Sequence, residues 1–188
     1  ICFKKNRILA IKYGILTRKR RDSVSKTHPS VKTMWHEYLI SIGETPESTS
    51  KTYTAWHFCS TQPAADELAE LVLTGEKRGT ATSIWSLEAE EEPMPEVGEL
   101  SIITDWSGKA KCIIKTVVLE TVPFNEVTEA FAAAEGEGDK SLEYWQKVHQ
   151  EVFSQELSEL GLKFSEDMPV LCETFEVVWP PQSGRQGT

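Results

Sequence analysis

The stretch Gly75–Ser83 joins two different patterns in this sequence. Apolar residues repeat at helical spacing up to Gly75, and an alternation typical of a β-strand begins at about Thr80. Between them, Lys77 and Arg78 are followed at once by hydroxyl side chains. A lysine ammonium suits a phosphate or a polarised carbonyl, and a hydroxyl can attack when a base activates it. The stretch is therefore open to two interpretations. It is either a candidate site, or a structural junction in which a helix end and a solvated cation pair precede an ordinary strand.

The other periodicities predict a mixture of helices and strands. Apolar residues at helical spacing and capping signals predict helices at 35–42, from Pro63 to Gly75, at 123–134, and from an Asp139 cap to Leu160. Alternation and β-branched runs predict strands at 53–59, 80–87, 97–106, 109–121 and 170–179. The strands mostly form hairpins and do not alternate with helices. The predicted fold class is therefore α+β, with a small, mainly antiparallel sheet or β-barrel and helices packed around it.

Charge divides the chain near Met34. Residues 1–33 contain ten Lys/Arg and one Asp, a net charge of +9, whereas residues 34–188 carry −18, which together give the −9 of the chain. Such a step marks a boundary. We expect a basic leader at 1–33, one domain at 34–179 and a flexible tail at 180–188. The leader is open to three interpretations, namely a targeting segment, a nucleic-acid-binding arm or residues foreign to the domain.

The cysteines and the hydropathy limit the class of protein. Four scattered cysteines have neither zinc-site spacing nor the density of a disulfide framework, so we expect reduced thiols and a cytoplasmic protein. No run of about 18 apolar residues predicts a membrane span. We expect no cofactor and no metal site, although Glu135, Glu137 and Asp139 leave a divalent ion possible in principle.

Several motifs, in order, carry a family resemblance. Gly75–Thr80 fits the Gly-x-Lys-x-x-Thr signature of the ASCH family, a branch of the PUA-like barrels. From about Met34 to Trp179 the chain resembles the longer bacterial-type ASCH proteins. The further matching segments are 65–69, 95–99, 123–128, the Glu-Gly-Glu-Gly-Asp stretch of 134–139 with 141–145 and His149, and 172–176.

The resemblance implies a β-barrel with a cleft at one mouth and an association with RNA. Some members are similar to nucleases of single-stranded RNA, and small members resemble amidohydrolases that remove an acyl group from a modified cytidine. In those, a Lys, a Thr and a Glu carry the reaction. By motif these are Lys77, Thr80 and Glu137, with Glu135 as the alternative because the glycine-rich stretch differs in length from that of the shorter relatives.

Other side chains are candidates for substrate binding, and each has a plain structural alternative. Trp85 suits base stacking or a buried core, and Ser141 with Tyr144 suits a phosphate or base, unless Ser141 is a helix cap. Glu173 lies in an apolar strand, so it is exposed at an edge or paired inside, with Lys77 as the available cation. His149, on the apolar face of the long helix, is more typical of a hydrogen-bonded core histidine. The full set of expected binding residues is Arg78, Thr82, Ser83, Trp85, Glu135, Ser141, Tyr144 and Glu173.

Net charge helps to choose among functions. A charge of −18 from Met34 onward disfavours tight binding along an RNA backbone, which needs several cation–phosphate contacts. It tolerates a pocket for one nucleotide with a positive floor at Lys77 and Arg78. We therefore expect a hydrolase acting on RNA or a modified nucleoside. The alternatives are a non-catalytic RNA- or nucleotide-binding module and a protein-interaction domain of a coactivator-like type.

Overall fold

The structure is a computed structural model that describes residues 27–181. The helices are α1 (Pro29–Ser41), α2 (Gln62–Leu73), α3 (Ile84–Ala89), α4 (Glu129–Glu135) and α5 (Leu142–Glu159), with a 3₁₀ turn at Phe124–Glu126. The strands are β1 (Tyr53–Trp56), β2 (Gly79–Ser83), β3 (Leu100–Thr104), β4 (Ala110–Pro123) and β5 (Pro169–Trp179). The α+β class that the sequence predicts is confirmed.

The strands form one mixed sheet in the order β1-β3-β4-β5-β2. β1 runs parallel to β3, whereas the β3–β4 and β2–β5 pairs are antiparallel. The closed barrel that the resemblance implies is not confirmed. Closure requires the two edge strands to pair with each other, and in the described sheet β1 and β2 stand at opposite edges.

One predicted strand is partly helical. The sequence predicts a strand at 80–87, but β2 ends at Ser83 and α3 begins at Ile84. The Ser83 hydroxyl accepts a hydrogen bond from the Ser86 backbone N–H at 3.2 Å, which is the geometry of an N-cap. Trp85 therefore lies on a short helix and not on the strand after the signature.

Residues 27–181 divide into two compact units. The first comprises 74–98 and 116–176, and it contains every expected site residue. The second comprises 27–73, 99–115 and 177–181. Its core cluster consists of Val31, Trp35, Tyr38, Leu39, Leu100, Ile102, Ala110 and Ile113.

Helix α1 begins ahead of the boundary that the charge step predicts. Pro29 stands in its first turn, where a missing N–H removes no helical bond, and the His28 side chain accepts from the Ser30 N–H. Val31 is fully buried, so the residues just before Met34 belong to a packed helix. Most of the expected leader, with its basic cluster at 18–21, and residues 182–188 of the expected tail lie outside the described residues.

The long helix α5 has a different cap from the one expected. Ser141, and not Asp139, is the N-cap, because its hydroxyl accepts from the Tyr144 N–H at 3.1 Å. Asp139 orients that serine by accepting from both its N–H and its hydroxyl. Trp145 is 3 % exposed, as its helical spacing predicts, whereas Leu142 is half-buried.

Thiols and hydropathy are only partly as expected. Cys112 and Cys172 are free and buried, but Cys59 is disulfide-bonded, which corrects the expectation of reduced thiols throughout. Burial raises the pKa of both free thiols to about 12, so neither is a reactive thiolate. Within the described part of the chain, every helix is too short or too polar to cross a membrane.

Candidate functional site

Lys77 lies inside the first unit, in contact with two carboxylates. Its side chain is fully buried, and its Nζ lies 2.8 Å from Glu135 Oε2 and 2.7 Å from Glu137 Oε1. A third, longer contact of 3.4 Å reaches the Glu135 backbone carbonyl. Lys77 is therefore paired with the glycine-rich stretch, and the pairing involves both glutamates.

Backbone hydrogen bonds hold Lys77 in this position. The Arg78 N–H donates to the Ala134 carbonyl at 2.7 Å, and the Arg78 carbonyl accepts from the Phe175 N–H at 2.9 Å. The segment after α2 is thereby fixed between the end of α4 and strand β5. Arg78 itself turns its side chain to solvent, so it adds no contact to the buried cluster.

The glycine-rich loop approaches the signature closely enough to require glycine. Gly136 ends α4 with a φ of +71°, and a Cβ there would lie 2.4 Å from the Glu76 carbonyl oxygen. At Gly138 a Cβ would lie 2.4 Å from the Tyr144 ring. Both positions combine a left-handed backbone with a close neighbour, a combination that only glycine accommodates without strain.

Burial and charge act in opposite directions on this cluster. Burial lowers the pKa of Lys77, but attraction to Glu135 and Glu137 and their hydrogen bonds outweigh it, so the net pKa is raised. Burial likewise raises the pKa of Glu135, yet the charges of Lys77 and His149 bring it well below its usual range. Lys77 is therefore a permanent ammonium and Glu135 a permanent carboxylate near neutral pH.

Glu135 has two further partners on helix α5. The Trp145 indole N–H donates to its Oε1 at 2.9 Å, and His149 Nε2 lies 3.4 Å from the same oxygen. The two rings are stacked, with centroids 4.1 Å apart and planes at 17°. The helical pattern places His149 on the apolar helix face, and neither ring is among the site residues that the sequence predicts. Their i, i+4 spacing was the available signal, because it places them on one side of the helix.

A small cavity borders the cluster. Its volume is about 10 Å³, room for a single water molecule. The expected site residues Glu135, Glu137, Ser141 and Tyr144 all line it, together with Ala132, Trp145, Val148 and His149.

Thr80 and Glu173 form a second polar group on the β2–β5 pair. They are directly opposite each other in the register, so their side chains share one face of the sheet. Both are buried, and Glu173 Oε1 accepts from the Thr116 hydroxyl at 2.7 Å. Glu173 is therefore paired inside, and its contact is a hydroxyl. Thr82 and Ser83 follow on β2, where Ser83 serves as the cap of α3.

Trp85 lines a different hollow from Glu137. This groove of about 460 Å³ is formed by Trp85, Glu88, Ala89, Leu162 and Lys163. Trp85 is half-exposed, so it is neither a fully buried core residue nor a neighbour of the Lys77 cavity.

The carboxylates near Lys77 form hydrogen bonds and ion pairs with other side chains. Glu135 and Glu137 bind Lys77, and Asp139 binds Ser141. Across residues 27–181, no group of three or more His, Cys, Asp or Glu side chains is arranged to hold a metal ion.

Comparison with known proteins agrees with this architecture. The model of the ASCH domain family matches residues 54–179. The crystal structure of an ASCH domain from Lactobacillus crispatus is 38% identical, with a TM-score of 0.74, covering 82% of this chain and 97% of that one. A protein from Enterococcus faecalis is 33% identical, with a TM-score of 0.69, covering 79% of this chain and 88% of its own. None of the curated proteins compared matches the sequence significantly. With the family model covering most of its length and a relative above 30% identity, this chain belongs to the ASCH domain family.

Proposed function

We propose that this ASCH domain is a hydrolase that acts on single-stranded RNA or on an acylated cytidine, with Lys77, Thr80 and Glu137 carrying the reaction. The observation that carries the proposal is a fully buried lysine held between two carboxylates next to a water-sized cavity. Buried charge is unfavourable for stability in itself, and strongly perturbed titratable groups concentrate at functional sites.

The two carboxylates are suited to different roles. Glu135 is almost fully buried and accepts from Lys77 and Trp145, whereas the Glu137 side chain is 13 % exposed and borders the cavity. Glu137 is therefore the carboxylate with access to a water and to a substrate. We assign Glu137 as the general base and Glu135 as the fixed counterion of Lys77.

Deacylation of a cytidine illustrates the steps. Glu137 takes a proton from the cavity water while the water oxygen attacks the acyl carbon. Lys77, which is fully buried, stabilises the negative charge that develops on the acyl oxygen through its electrostatic field and without direct contact. The C–N bond then breaks, and the leaving amine takes the proton back from Glu137. Thr80 supplies its hydroxyl as a hydrogen-bond donor to the substrate or as the nucleophile in place of water.

A second candidate is a non-catalytic RNA-binding module, and the groove at Trp85 favours it. A half-exposed indole beside the Lys163 ammonium combines a stacking surface with a cation for phosphate, the two elements that proteins use for single-stranded nucleic acid. The groove volume of about 460 Å³ lies in the range of small-ligand sites.

The test compares turnover of an acylated cytidine and of a single-stranded RNA oligonucleotide. Glu137→Gln keeps the shape and removes the base, and Thr80→Val keeps the shape and removes the hydroxyl. We expect both to lose activity by about 100-fold or more while remaining folded, which thermal melting checks. Lys140→Met, which removes an exposed lysine of the same loop, is the matched control and should keep full activity. Tight RNA binding without turnover of either substrate by the wild type would favour the binding module.

A further inference from the structure

The contacts of His149 fix where its protons lie. Nδ1 lies 3.0 Å from the Trp145 backbone carbonyl, which can only accept, so Nδ1 carries a proton. Nε2 lies 3.4 Å from Glu135 Oε1, which as a carboxylate oxygen also only accepts. A neutral ring with its proton on Nδ1 would turn the Nε2 lone pair toward that oxygen. The contact is attractive only when both ring nitrogens carry protons.

Charge balance leads to the same protonation state. Lys77, Glu135 and Glu137 together carry one excess negative charge in a region where Lys77 is fully buried and Glu135 is 1 % exposed. A cationic His149, 5 % exposed, brings the sum of the four side chains to zero. Because buried charges require compensation, the neutral total is the favourable one.

We infer that His149 is a positioning residue of this site, acting through Glu135: it donates from both ring nitrogens and, with Lys77, keeps Glu135 ionised so that Glu137 alone exchanges protons. The inference rests on the proposed function. His149 acts on the reaction indirectly, because its contact is with Glu135, whose charge it maintains. The stack on Trp145 fixes the ring plane that this requires.

His149 meets the charged cluster through Glu135, which in turn pairs with Lys77, the partner of Glu137. Trp145 and Phe153 pack against the His149 ring from its own helix. On β5 the Cys172 thiol stays neutral, because burial and the Glu135 charge raise its pKa to about 12. Without a proton on Nε2, the His149 ring would offer Glu135 a lone pair in place of a donor.

Nuclear magnetic resonance of the imidazole nitrogens tests the protonation state without any assay of activity. His57 is the internal control: its Nδ1 lies 2.9 Å from the Phe58 carbonyl and its ring packs on Trp106, but no carboxylate of residues 27–181 forms an ion pair with it. We expect His149 to show protons on both ring nitrogens, with the His57 resonances of the same spectrum as the reference. The same single protonation in both rings would overturn the inference, whatever the outcome for activity.

Two variants test the functional consequence. His149→Gln offers a neutral N–H near the Nε2 position, so we expect it to lose less turnover than a variant without a donor. His149→Phe keeps a ring against Trp145 but removes the donor, and we expect turnover to fall by up to about 100-fold. Equal losses of turnover in the two variants would refute the positioning role. If the wild type turns over neither substrate, the proposed function fails, and the resonance experiment still decides the protonation of His149.

Discussion

Two neighbouring residues, Glu76 and Lys77, form ion pairs with the same loop in opposite environments. Glu76 pairs with Lys140 at 3.2 Å, and both side chains are about half exposed, at 51 % and 47 %. Lys77 pairs with Glu135 at 2.8 Å, and these side chains are 0 % and 2 % exposed. The chemistry of the two pairs is the same, and the sequence separation is similar. The two pairs differ most in burial.

The difference shows what each pair does for the protein. An exposed pair contributes about 0–1 kcal/mol, because water screens it and ordering the side chains opposes it. A buried pair contributes little net stability against apolar replacements, but loss of one partner leaves an uncompensated charge. The exposed pair is therefore replaceable, while the buried pair maintains a charged lysine inside the fold at the place where the proposed reaction needs one.

The largest effect is expected from Lys77→Met. Removing the ammonium leaves Glu135 buried without its main counterion, so the free energy of unfolding should fall by about 3–5 kcal/mol. Lys140→Met should change it by less than about 1 kcal/mol. Urea denaturation of both variants measures the difference, and equal losses would contradict the comparison.

A double variant sharpens the same test. Lys77→Met combined with Glu135→Gln removes both charges, so the penalty of an unpaired carboxylate disappears. We expect it to be more stable than Lys77→Met alone, although it lacks one more native contact. A double variant that is less stable by the sum of both single losses would show that Glu135 does not depend on Lys77.

Replacement of Gly136 should have the next largest effect. Its left-handed backbone lets the glycine-rich loop approach Glu76 and Lys77, which belong to the two ion pairs. Gly161→Ala is the control, because Gly161 has a similar φ of +75° and nothing within 4 Å of an added Cβ. The left-handed backbone costs about 1–2 kcal/mol in either variant. In Gly136→Ala the Glu76 carbonyl must also move, which adds about 1–3 kcal/mol. Equal melting temperatures for the two variants would mean that the Glu76 carbonyl moves away from the added Cβ at no cost in stability.

Part of this site was predictable from sequence and part was not. Local patterns located the signature, the glycine-rich stretch and α5, and the pairing chemistry of Lys77 with a carboxylate followed from residue type. The choice between Glu135 and Glu137 was not predictable, because Gly136 turns the chain between them and the structure uses both.

Two other failures have local causes. Thr80–Leu87 alternates like a strand, yet the Ser83 hydroxyl competes for the backbone and starts α3, which takes Trp85 into a separate groove. His149 has the spacing of a core residue, and only the end of α4, brought near by tertiary packing, gives it a carboxylate. Contacts between distant segments are not encoded in periodicity.

A smaller effect is expected from pH. Burial raises the pKa of Glu135, but the Lys77 charge outweighs burial, so the pKa is lowered in the folded state. The contribution of Glu135 to stability is therefore present above the ordinary pKa of 4.5 and is lost as pH falls below that value. The pKa of Lys77 is raised, so its contribution is present below 10.5 and is lost only above it. In Glu135→Gln the loss of stability below pH 4.5 should be shallower than in the wild type. Parallel acid denaturation curves would refute this.

The smallest effect belongs to the exposed pair and depends on salt. A double-mutant cycle with Glu76→Gln and Lys140→Met should give a coupling of about 0.5 kcal/mol or less at low ionic strength. At about 1 M salt the screening length falls to about 3 Å, so the coupling should vanish. The corresponding cycle for Lys77 and Glu135 should keep its coupling, because these side chains are 0 % and 2 % exposed and dissolved ions do not reach them. Loss of both couplings in salt would mean that dissolved ions also screen the Lys77 site, and the contrast between the two pairs would then be one of degree.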